Sequence, residues 1–202
     1  MAITAKGAWE IVRHHLTEKR YQHTIGVTET AVRLAKQYHV DEEKAELAAI
    51  VHDICKYHDT DEMANHLAAK NETHWAAFGR ELLHAPYGAL YSKNELHIED
   101  SDILQAVRSH TTGRANMSRL EQVLFVADYI EPNRSFPGVE KARELADIHL
   151  DRACLFSLNN TMKYLLSKEL PIHPYTIEAY NYYTLKGEQE IESIFKISRS
   201  YD

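Results

Sequence analysis

Hydrophobic residues recur along the chain at the spacing of one helix face. The clearest run is Val27, Ala31, Leu34, Ala35 and Tyr38. Later apolar residues repeat this spacing, namely Leu47, Val51, Ile54, Ile103, Val107, Leu155, Leu158, Met162 and Leu165. Such periodicity predicts amphipathic helices. No segment alternates strongly between apolar and polar residues, so we predict an all-α fold.

Several residues mark the ends of these predicted helices. Asp41 is placed to cap the second helix, and Ser118 with Glu121 forms a capping box ahead of another. The helix that contains Leu155 should end before Pro171, because proline disfavours helix at the preceding residue. A last pair of helices is expected on either side of Gly187.

The composition predicts a cytoplasmic protein with one domain spanning residues 1–202. Its 7 glycines and 5 prolines mark no linker, and 44% of the residues are hydrophobic. No apolar run approaches the roughly 20 residues that a bilayer requires, and we expect no secretory signal. The net charge of −7 argues against nucleic-acid and membrane-surface partners. Cys55 and Cys154 form no paired motif, so a metal would need nitrogen and oxygen ligands.

His52 and Asp53 follow the apolar residues 48–51, so an imidazole and a carboxylate should enter the interior together. Burying two polar groups requires a compensating partner. A divalent cation such as iron, manganese or zinc accepts both kinds of ligand. The structural alternative is a hydrogen-bonded helix end, and a His-Asp pair alone is weak support for a metal site.

Four other residues of the same chemistry fall near predicted helix faces. His23 lies about one turn before the first helix, and Asp128 falls on an apolar face. His110 is in phase with the apolar residues before it, and His84 precedes Pro86. Each histidine alone is more often a satisfied core residue than a ligand. The joint order His, His-Asp, His, His, Asp favours one metal centre.

Five segments of the chain resemble the motifs of the YqeK family, a branch of the HD superfamily. They are 23–27 (His-Thr-Ile-Gly-Val), 52–56 (His-Asp-Ile-Cys-Lys), 84–89 (His-Ala-Pro-Tyr-Gly-Ala), 109–113 (Ser-His-Thr-Thr-Gly) and 127–134 (Ala-Asp-Tyr-Ile-Glu-Pro-Asn-Arg). The last two are similar to this branch specifically. Residues 171–176 (Pro-Ile-His-Pro-Tyr-Thr) resemble its nucleotide-contacting C-terminal segment. Cys55 stands where a small residue is expected, and we assign it no catalytic role.

The resemblance implies an all-helical HD bundle that hydrolyses dinucleoside tetraphosphates symmetrically, chiefly diadenosine tetraphosphate to two ADP. As a hypothesis, His23, His52, Asp53 and Asp128 supply four ligands and leave room on a six-coordinate ion for water and a phosphate oxygen. Iron is the first choice by resemblance, with manganese and zinc as alternatives. The ion would lower the pKa of water to about 7, and Asp53 would also orient that water for attack on phosphorus.

Two histidines and a lysine complete the predicted catalytic group. His84 and His110 either donate to phosphate oxygens when protonated or hold a second metal when neutral, and phosphate contacts are preferred. Lys56 lies one helical turn after His52 and is expected to offset the charge that develops during phosphoryl transfer. Its structural alternative is a surface lysine.

Five further residues are predicted to bind the substrate. Arg20 and Arg134 lie beside the motifs and offer forked guanidinium donors for phosphate oxygens. His173, Tyr175 and Thr176 are expected to meet the nucleoside or its phosphates. The structural alternative for Thr176 is a cap on the last helices.

Other functions use the same residue types. Within hydrolases, a nucleotide phosphatase or a cyclic-nucleotide phosphodiesterase would need the same ion and water. Some HD proteins hold two irons in this order of residues and activate dioxygen, so an oxygenase is a second class. A nucleotide-sensing module that does not cleave is a third. We expect a small-molecule nucleotide as the substrate and allow for a homodimer with a second copy of the chain.

Overall fold

The computed structural model describes residues 3–198, with side chains described up to residue 188. The described part is built from helices and contains no strand, which confirms the all-α prediction. The α-helices are α1 (Ala5–His15), α2 (Glu18–Gln37), α3 (Glu42–Val51), α4 (Thr60–Ala68), α5 (His84–Asn94), α6 (Ser101–Ser109), α7 (Arg119–Ile130), α8 (Val139–Ile148), α9 (Leu150–Ser167) and α10 (Pro174–Ser198). Two short 3-10 helices, Thr73–Phe78 and Arg80–Leu82, join α4 to α5. Over these residues, no helix is long and apolar enough to cross a membrane.

Helix α7 lies at the centre of the packing and contacts α2, α3, α6, α8 and α9. It buries residues on every side, including Leu120, Val123, Leu124 and Ala127. A helix that is apolar all round is stable only when other helices surround it. Asp128 on α7 is therefore held within the bundle, with 19% of its side chain left exposed.

The predicted helix ends at Asp41, Ser118 and Pro171 are confirmed. Asp41 caps α3 by accepting from the backbone N–H of Lys44, and α9 ends at Ser167, ahead of Pro171. Ser118 and Glu121 form the capping box of α7. Glu121 also accepts a 2.9 Å hydrogen bond from the hydroxyl of Ser109, so the start of α7 is tied to the end of α6.

The structure corrects the prediction at Gly187. Helix α10 runs through this position without a break, so the expected helical pair is one helix. A helical glycine is less favourable than alanine by about 1 kcal/mol and does not by itself end a helix. The Cβ position of Gly187 lies 3.6 Å from the guanidinium of Arg152 on α9. Packing between α9 and α10 thus outweighs the local preference.

Other elements differ from the sequence expectation. Helix α2 begins at Glu18, so His23 lies inside it and not one turn before it. Its N-cap is Thr17, which accepts from the N–H of Arg20. Helices α1, α4, α5 and α8 and both 3-10 helices were not predicted. Most of them are short and bury few apolar residues, and α5 contains Pro86 in its first turn, a residue type that disfavours helix at the position before it.

Candidate metal centre

The predicted metal ligands and two further histidines come together from five helices. They are His23 within α2, His52 at the end of α3, Asp53 in the next turn, His84 at the start of α5, His110 at the end of α6 and Asp128 within α7. His52 and Asp53 are fully buried, and the other three histidines are almost so. The sequence prediction that these segments meet is therefore matched by their positions.

A run of tight turns brings His52 and Asp53 to face the same interior point. The N–H of Ile54 donates to the carbonyl of Val51 at 3.1 Å, and that of Lys56 donates to the carbonyl of Asp53 at 2.8 Å. These bonds span three residues, which winds the backbone more tightly than an α-helix. Helix α3 ends there, and the adjacent side chains both reach the core.

One oxygen of Asp53 faces the first pair of histidines. Its Oδ2 lies 3.1 Å from His52 Nε2 and 3.8 Å from His23 Nε2. His23 Nε2 is also 3.0 Å from Asp128 Oδ1. The predicted four-ligand set, His23, His52, Asp53 and Asp128, thus forms one contiguous group.

The other oxygen of Asp53 faces the second pair of histidines. Its Oδ1 lies 3.0 Å from His84 Nε2 and 3.8 Å from His110 Nε2. The two Nε2 atoms are 3.1 Å from each other. Asp53 therefore stands between two groups of potential ligands, His23 with His52 and His84 with His110.

Hydrogen bonds at Nδ1 fix the tautomer of all four histidines. His52, His84 and His110 place Nδ1 at 2.6, 2.7 and 2.7 Å from the backbone carbonyls of the residues three positions earlier. His23 Nδ1 lies 3.1 Å from Glu131 Oε1. Carbonyl and carboxylate oxygens only accept, so each Nδ1 carries the proton and each Nε2 presents a lone pair.

These lone pairs fit divalent cations. Four buried atoms of the predicted ligands have no hydrogen-bond partner, namely His23 Nε2, His52 Nε2 and both oxygens of Asp53. Their neighbours lie at contact distance, but the angles do not suit hydrogen bonds. Between His84 and His110 two lone pairs face each other with no proton to share. Ligand atoms at right angles around an ion, each at roughly 2.1 Å, lie about 3 Å apart, which matches the spacing found here.

Charge and burial act in opposite directions on the two aspartates. Burial raises the pKa of Asp53, but the electrostatic interaction with His52 and the polar contacts of His110 and His84 lower it well below its usual range. Burial likewise raises the pKa of Asp128, but the contact with His23 and the charge of Arg134 lower it well below its usual range. Both carboxylates are ionised at neutral pH, as metal ligands must be.

Burial makes His84 a neutral side chain at neutral pH. It lowers the pKa of His84 from 6.5 to about 4, although the neighbouring Asp53 acts in the opposite direction. A neutral imidazole is suited to metal binding and cannot act as a cationic phosphate donor. Of the two roles predicted for His84 and His110, these features favour metal binding.

Sequence reasoning missed Glu131 and Gly26. Glu131 is almost fully buried, holds His23 Nδ1 and accepts from the backbone N–H of Asn133 at 2.7 Å. A Cβ on Gly26 would lie 2.6 Å from Glu131 Oε2, so only glycine leaves room for this carboxylate. Both residues are inside the recognised motifs, and a buried acid near a ligating histidine was the available signal.

The predicted basic residues lie around the centre. Arg20 contacts Asp53 through its Nε. Arg134 donates to Asp128 Oδ1 at 2.8 Å and to the carbonyl of Asp128 at 3.1 Å. Lys56 Nζ lies 3.7 Å from a carboxylate of Glu81 that is 91% exposed. Arg20 and Arg134 thus lie directly against the two aspartates, and Lys56 lies beside an exposed acid.

A cavity of about 350 Å³ opens onto the centre. Its lining includes the three basic residues, Arg20, Lys56 and Arg134, together with His84, His110, Asp128, Thr111, Phe125, Tyr129 and Thr161. Thr111, Phe125 and Thr161 were not singled out from the sequence as site residues. The cavity thus combines cationic groups with two aromatic rings, as expected for a phosphorylated ligand that also carries a ring.

His173, Tyr175 and Thr176 lie elsewhere. His173 stacks on Trp75 with the ring centres 4.4 Å apart, and its Nδ1 accepts from the N–H of Tyr175 at 3.2 Å. Thr176 donates to the carbonyl of Thr112 at 3.0 Å. The helix cap at this point is His173, because α10 begins at Pro174; the alternative role of Thr176 as a cap is wrong. None of the three lines the cavity at the metal centre.

The chain matches one domain family, and two of its relatives share the same name. The HD domain family matches residues 20–133. A protein of Halalkalibacterium halodurans named symmetrical bis(5'-nucleosyl)-tetraphosphatase is 55% identical over 86% of this chain and 94% of its own length. One of Bacillus subtilis with the same name is 46% identical over 85% and 92%.

A solved structure has the same fold. It comes from Clostridium acetobutylicum and is described as a predicted HD superfamily hydrolase involved in NAD metabolism. The TM-score is 0.86 at 38% identity, with 92% of this chain and 100% of the other covered. The helical bundle and the elements that carry the His and Asp residues therefore belong to an established architecture.

Proposed function

The chain belongs to the HD-domain family, in its YqeK-type branch, and from this premise we propose that it hydrolyses dinucleoside tetraphosphates symmetrically to two nucleoside diphosphates. One observation carries the proposal at the level of chemistry: four buried imidazoles, each with Nδ1 engaged, direct Nε2 lone pairs at the carboxylate of Asp53. The relatives' shared name supplies the substrate class. The enzyme class is hydrolase, acting on an acid anhydride.

Two divalent cations would be held on either side of Asp53. His23, His52 and Asp128 would hold the first together with Asp53 Oδ2, and His84 and His110 would hold the second with Oδ1. The short approach of His84 to His110 supports the second ion, because two lone pairs repel unless a cation lies between them. Divalent ions in such a pair supply Lewis acidity and lower the pKa of water.

The residues of the chain would orient and neutralise the polyphosphate. In the reaction, water oxygen bonds to one inner phosphorus, the central bridging oxygen leaves with the other half, and the water protons are released. Arg20 and Arg134 are positioned to donate to phosphate oxygens beside the anhydride. Lys56 would offset the charge that grows on the leaving diphosphate. Asp53 would also accept a hydrogen bond from the attacking water.

The proposal also covers the metal ion, the cellular location and the partners. Iron is the proposed metal, because imidazole with carboxylate suits it and the family resemblance indicates it. We also propose a cytoplasmic location, no nucleic-acid partner in view of the net charge of −7, and a homodimer. Native mass measurement tests the last of these.

Product analysis tests the reaction. Protein stripped of metal and reloaded anaerobically with iron, manganese or zinc would be incubated with diadenosine tetraphosphate. ADP as the sole nucleotide product, formed only after reloading, is the expected result. AMP with ATP would show an asymmetrical cut, and unchanged substrate with every ion would contradict the proposed activity.

The same assay separates the oxygenase alternative. An oxygenase would consume dioxygen and give an oxidised product, whereas hydrolysis proceeds at the same rate without oxygen. Arg20, Lys56 and Arg134 around the cavity favour the hydrolase, because a polyanion and not a neutral organic molecule matches three cationic groups.

A further inference from the structure

A second and larger cavity also reaches the metal centre and shares Arg20 and Arg134 with the first. Its volume is about 730 Å³, against about 350 Å³ for the cavity described above. Arg20 and Arg134 line both cavities. The larger one includes His23 in its wall, whereas the smaller one includes Asp128, His84 and His110. We name them the wide cavity and the narrow cavity.

The two cavities offer the same charge to a polyphosphate. Besides the shared arginines, Lys19 lines the wide cavity and Lys56 lines the narrow cavity. The acid in the wide cavity is Glu131, whose oxygens are engaged by His23 and the N–H of Asn133. A chain of phosphates lying across the arginines would therefore meet cationic groups in both directions.

Aromatic rings line both cavities beyond the charged groups. Tyr57 and Phe136 line the wide cavity, and Phe125 and Tyr129 line the narrow cavity. Tyr57 is 55% exposed, and its hydroxyl is 3.2 Å from Thr17 Oγ1. Exposed tyrosine beside cationic groups is a suitable surface on which a base can stack.

Amide side chains complete the wide cavity. Gln22 and Asn133 line it and are exposed. The amide of Gln22 donates to Glu18 Oε1 at 2.9 Å, which leaves its carbonyl oxygen to accept from the edge of a base, and the exposed amide of Asn133 can both donate and accept. The volume of the wide cavity falls within the roughly 300–1,000 Å³ of small-molecule sites. The wall thus contains the three kinds of group that a nucleoside diphosphate requires: cations, a ring and amides.

We propose that the wide cavity is a nucleoside subsite, in which Tyr57 stacks on one base of the dinucleoside tetraphosphate while the narrow cavity receives the other half. The inference rests on the proposed function. A symmetrical cut needs the central anhydride at the metal centre with one nucleoside diphosphate extending to each side. Two cavities that share Arg20 and Arg134 satisfy this requirement.

Steady-state kinetics with Tyr57→Ala test the subsite. Removal of the ring should lower kcat/KM for diadenosine tetraphosphate about tenfold, since a stacked base contributes on this scale. The inhibition constant of inorganic tetraphosphate, which has phosphates but no base, should not change. Tyr57→Phe, which keeps the ring and loses the hydroxyl, should recover most of the loss.

Tyr164→Ala is the matched control, because Tyr164 is 59% exposed and lines neither cavity. It should leave both constants unchanged. An unchanged kcat/KM in Tyr57→Ala, or an equal weakening of tetraphosphate binding, would overturn the subsite while ADP formation by the wild type upholds the proposed function. Failure of the wild type to form ADP would overturn the proposed function and the subsite with it.

Discussion

The buried histidines in two regions of this protein differ in what their nitrogen atoms do: four lie at the metal centre, and His173 lies in an aromatic cluster at the start of α10. At the metal centre, each Nδ1 donates to an oxygen and each Nε2 lone pair points toward Asp53. In the second cluster, His173 lies among Trp75, Phe78 and Tyr175, and its Nδ1 accepts from a backbone N–H. The first arrangement suits a cation, and the second suits a helix cap. The role of each ring nitrogen, and not the number of histidines, therefore identifies the metal site.

The pKa values of the two clusters do not distinguish them. Burial lowers the pKa of His84 to about 4 and that of His173 to about 4 as well. At the metal centre Asp53 acts against this shift, whereas near His173 the charge of His74 adds to it. A carboxylate at contact distance is the feature that one cluster has and the other lacks.

The largest expected effect is that of Asp53→Asn. This change removes the negative charge that both groups of histidines share, so metal content should fall and hydrolysis should decrease by more than about a thousandfold. Elemental analysis and ADP formation measure the two effects. Asp102→Asn is the control, since Asp102 is 60% exposed and lies outside the centre. Substantial activity in Asp53→Asn would contradict a metal centre in which both groups of histidines depend on Asp53.

A smaller effect is expected at Glu131. Glu131→Gln leaves the shape unchanged but weakens the hold on His23 Nδ1, so metal affinity should fall roughly 10- to 100-fold, as titration of metal-free protein would measure. Gly26→Ala should act in the same direction, because its Cβ would displace Glu131. Glu29→Gln, an exposed change on α2, should have no effect. Equal affinity in Glu131→Gln and wild type would contradict this role.

His173→Asn examines the second cluster. Asparagine is a good N-cap, so α10 should keep its start while the titrating ring is lost. The pKa of His173 is lowered from 6.5 to about 4 on folding, so the unfolded chain binds the proton more readily and stability is lost as pH falls through this window. Between pH 7 and 5, the wild type should lose about 2 kcal/mol more than the variant.

Denaturant unfolding at both pH values measures that difference. The same loss in both proteins would contradict it. At neutral pH the KM of His173→Asn for diadenosine tetraphosphate should stay within about twofold of the wild-type value if His173 acts as a helix cap. A large rise in KM would instead support the substrate-binding role predicted from the sequence.

The smallest effect concerns Gly187 in the same helix. Gly187→Ala should raise the free energy of unfolding by up to about 1 kcal/mol, because alanine is the better helix former and its Cβ would meet Arg152 at ordinary contact distance. Activity should not change. A loss of stability would indicate that the packing of α9 against α10 has no room for a methyl group.

The fold was predictable where local signals are strong. The apolar face of α2, the Asp41 cap and the capping box of Ser118 and Glu121 each depend on residues a few positions apart. Gly187 was misjudged, because the packing of α10 on Arg152 is a contact between distant parts of the chain. Short helices such as α4 carry too few apolar residues to give a clear period.

The candidate site was likewise predictable in part, from local sequence signals but not from contacts between distant parts of the chain. The segments that carry His23, His52, Asp53 and Asp128 were identified from order and helix phase, and the structure places them in contact. The hydrogen-bond partners of the Nδ1 atoms could not be predicted from the sequence, because most of them are backbone carbonyls whose positions depend on the folded geometry. The wide cavity was also missed, since Tyr57 joins residues of α2 and the loop after α7 only in the folded protein.

A count of metal ions per chain tests the central claim most directly. Wild type and His110→Ala would be purified and loaded without oxygen, and the bound metal would be measured against protein concentration. Two ions in the wild type and about one in the variant are expected, since His110 belongs to only one side of Asp53. No bound metal in the wild type, or the same count in both proteins, would contradict a centre built on a shared aspartate.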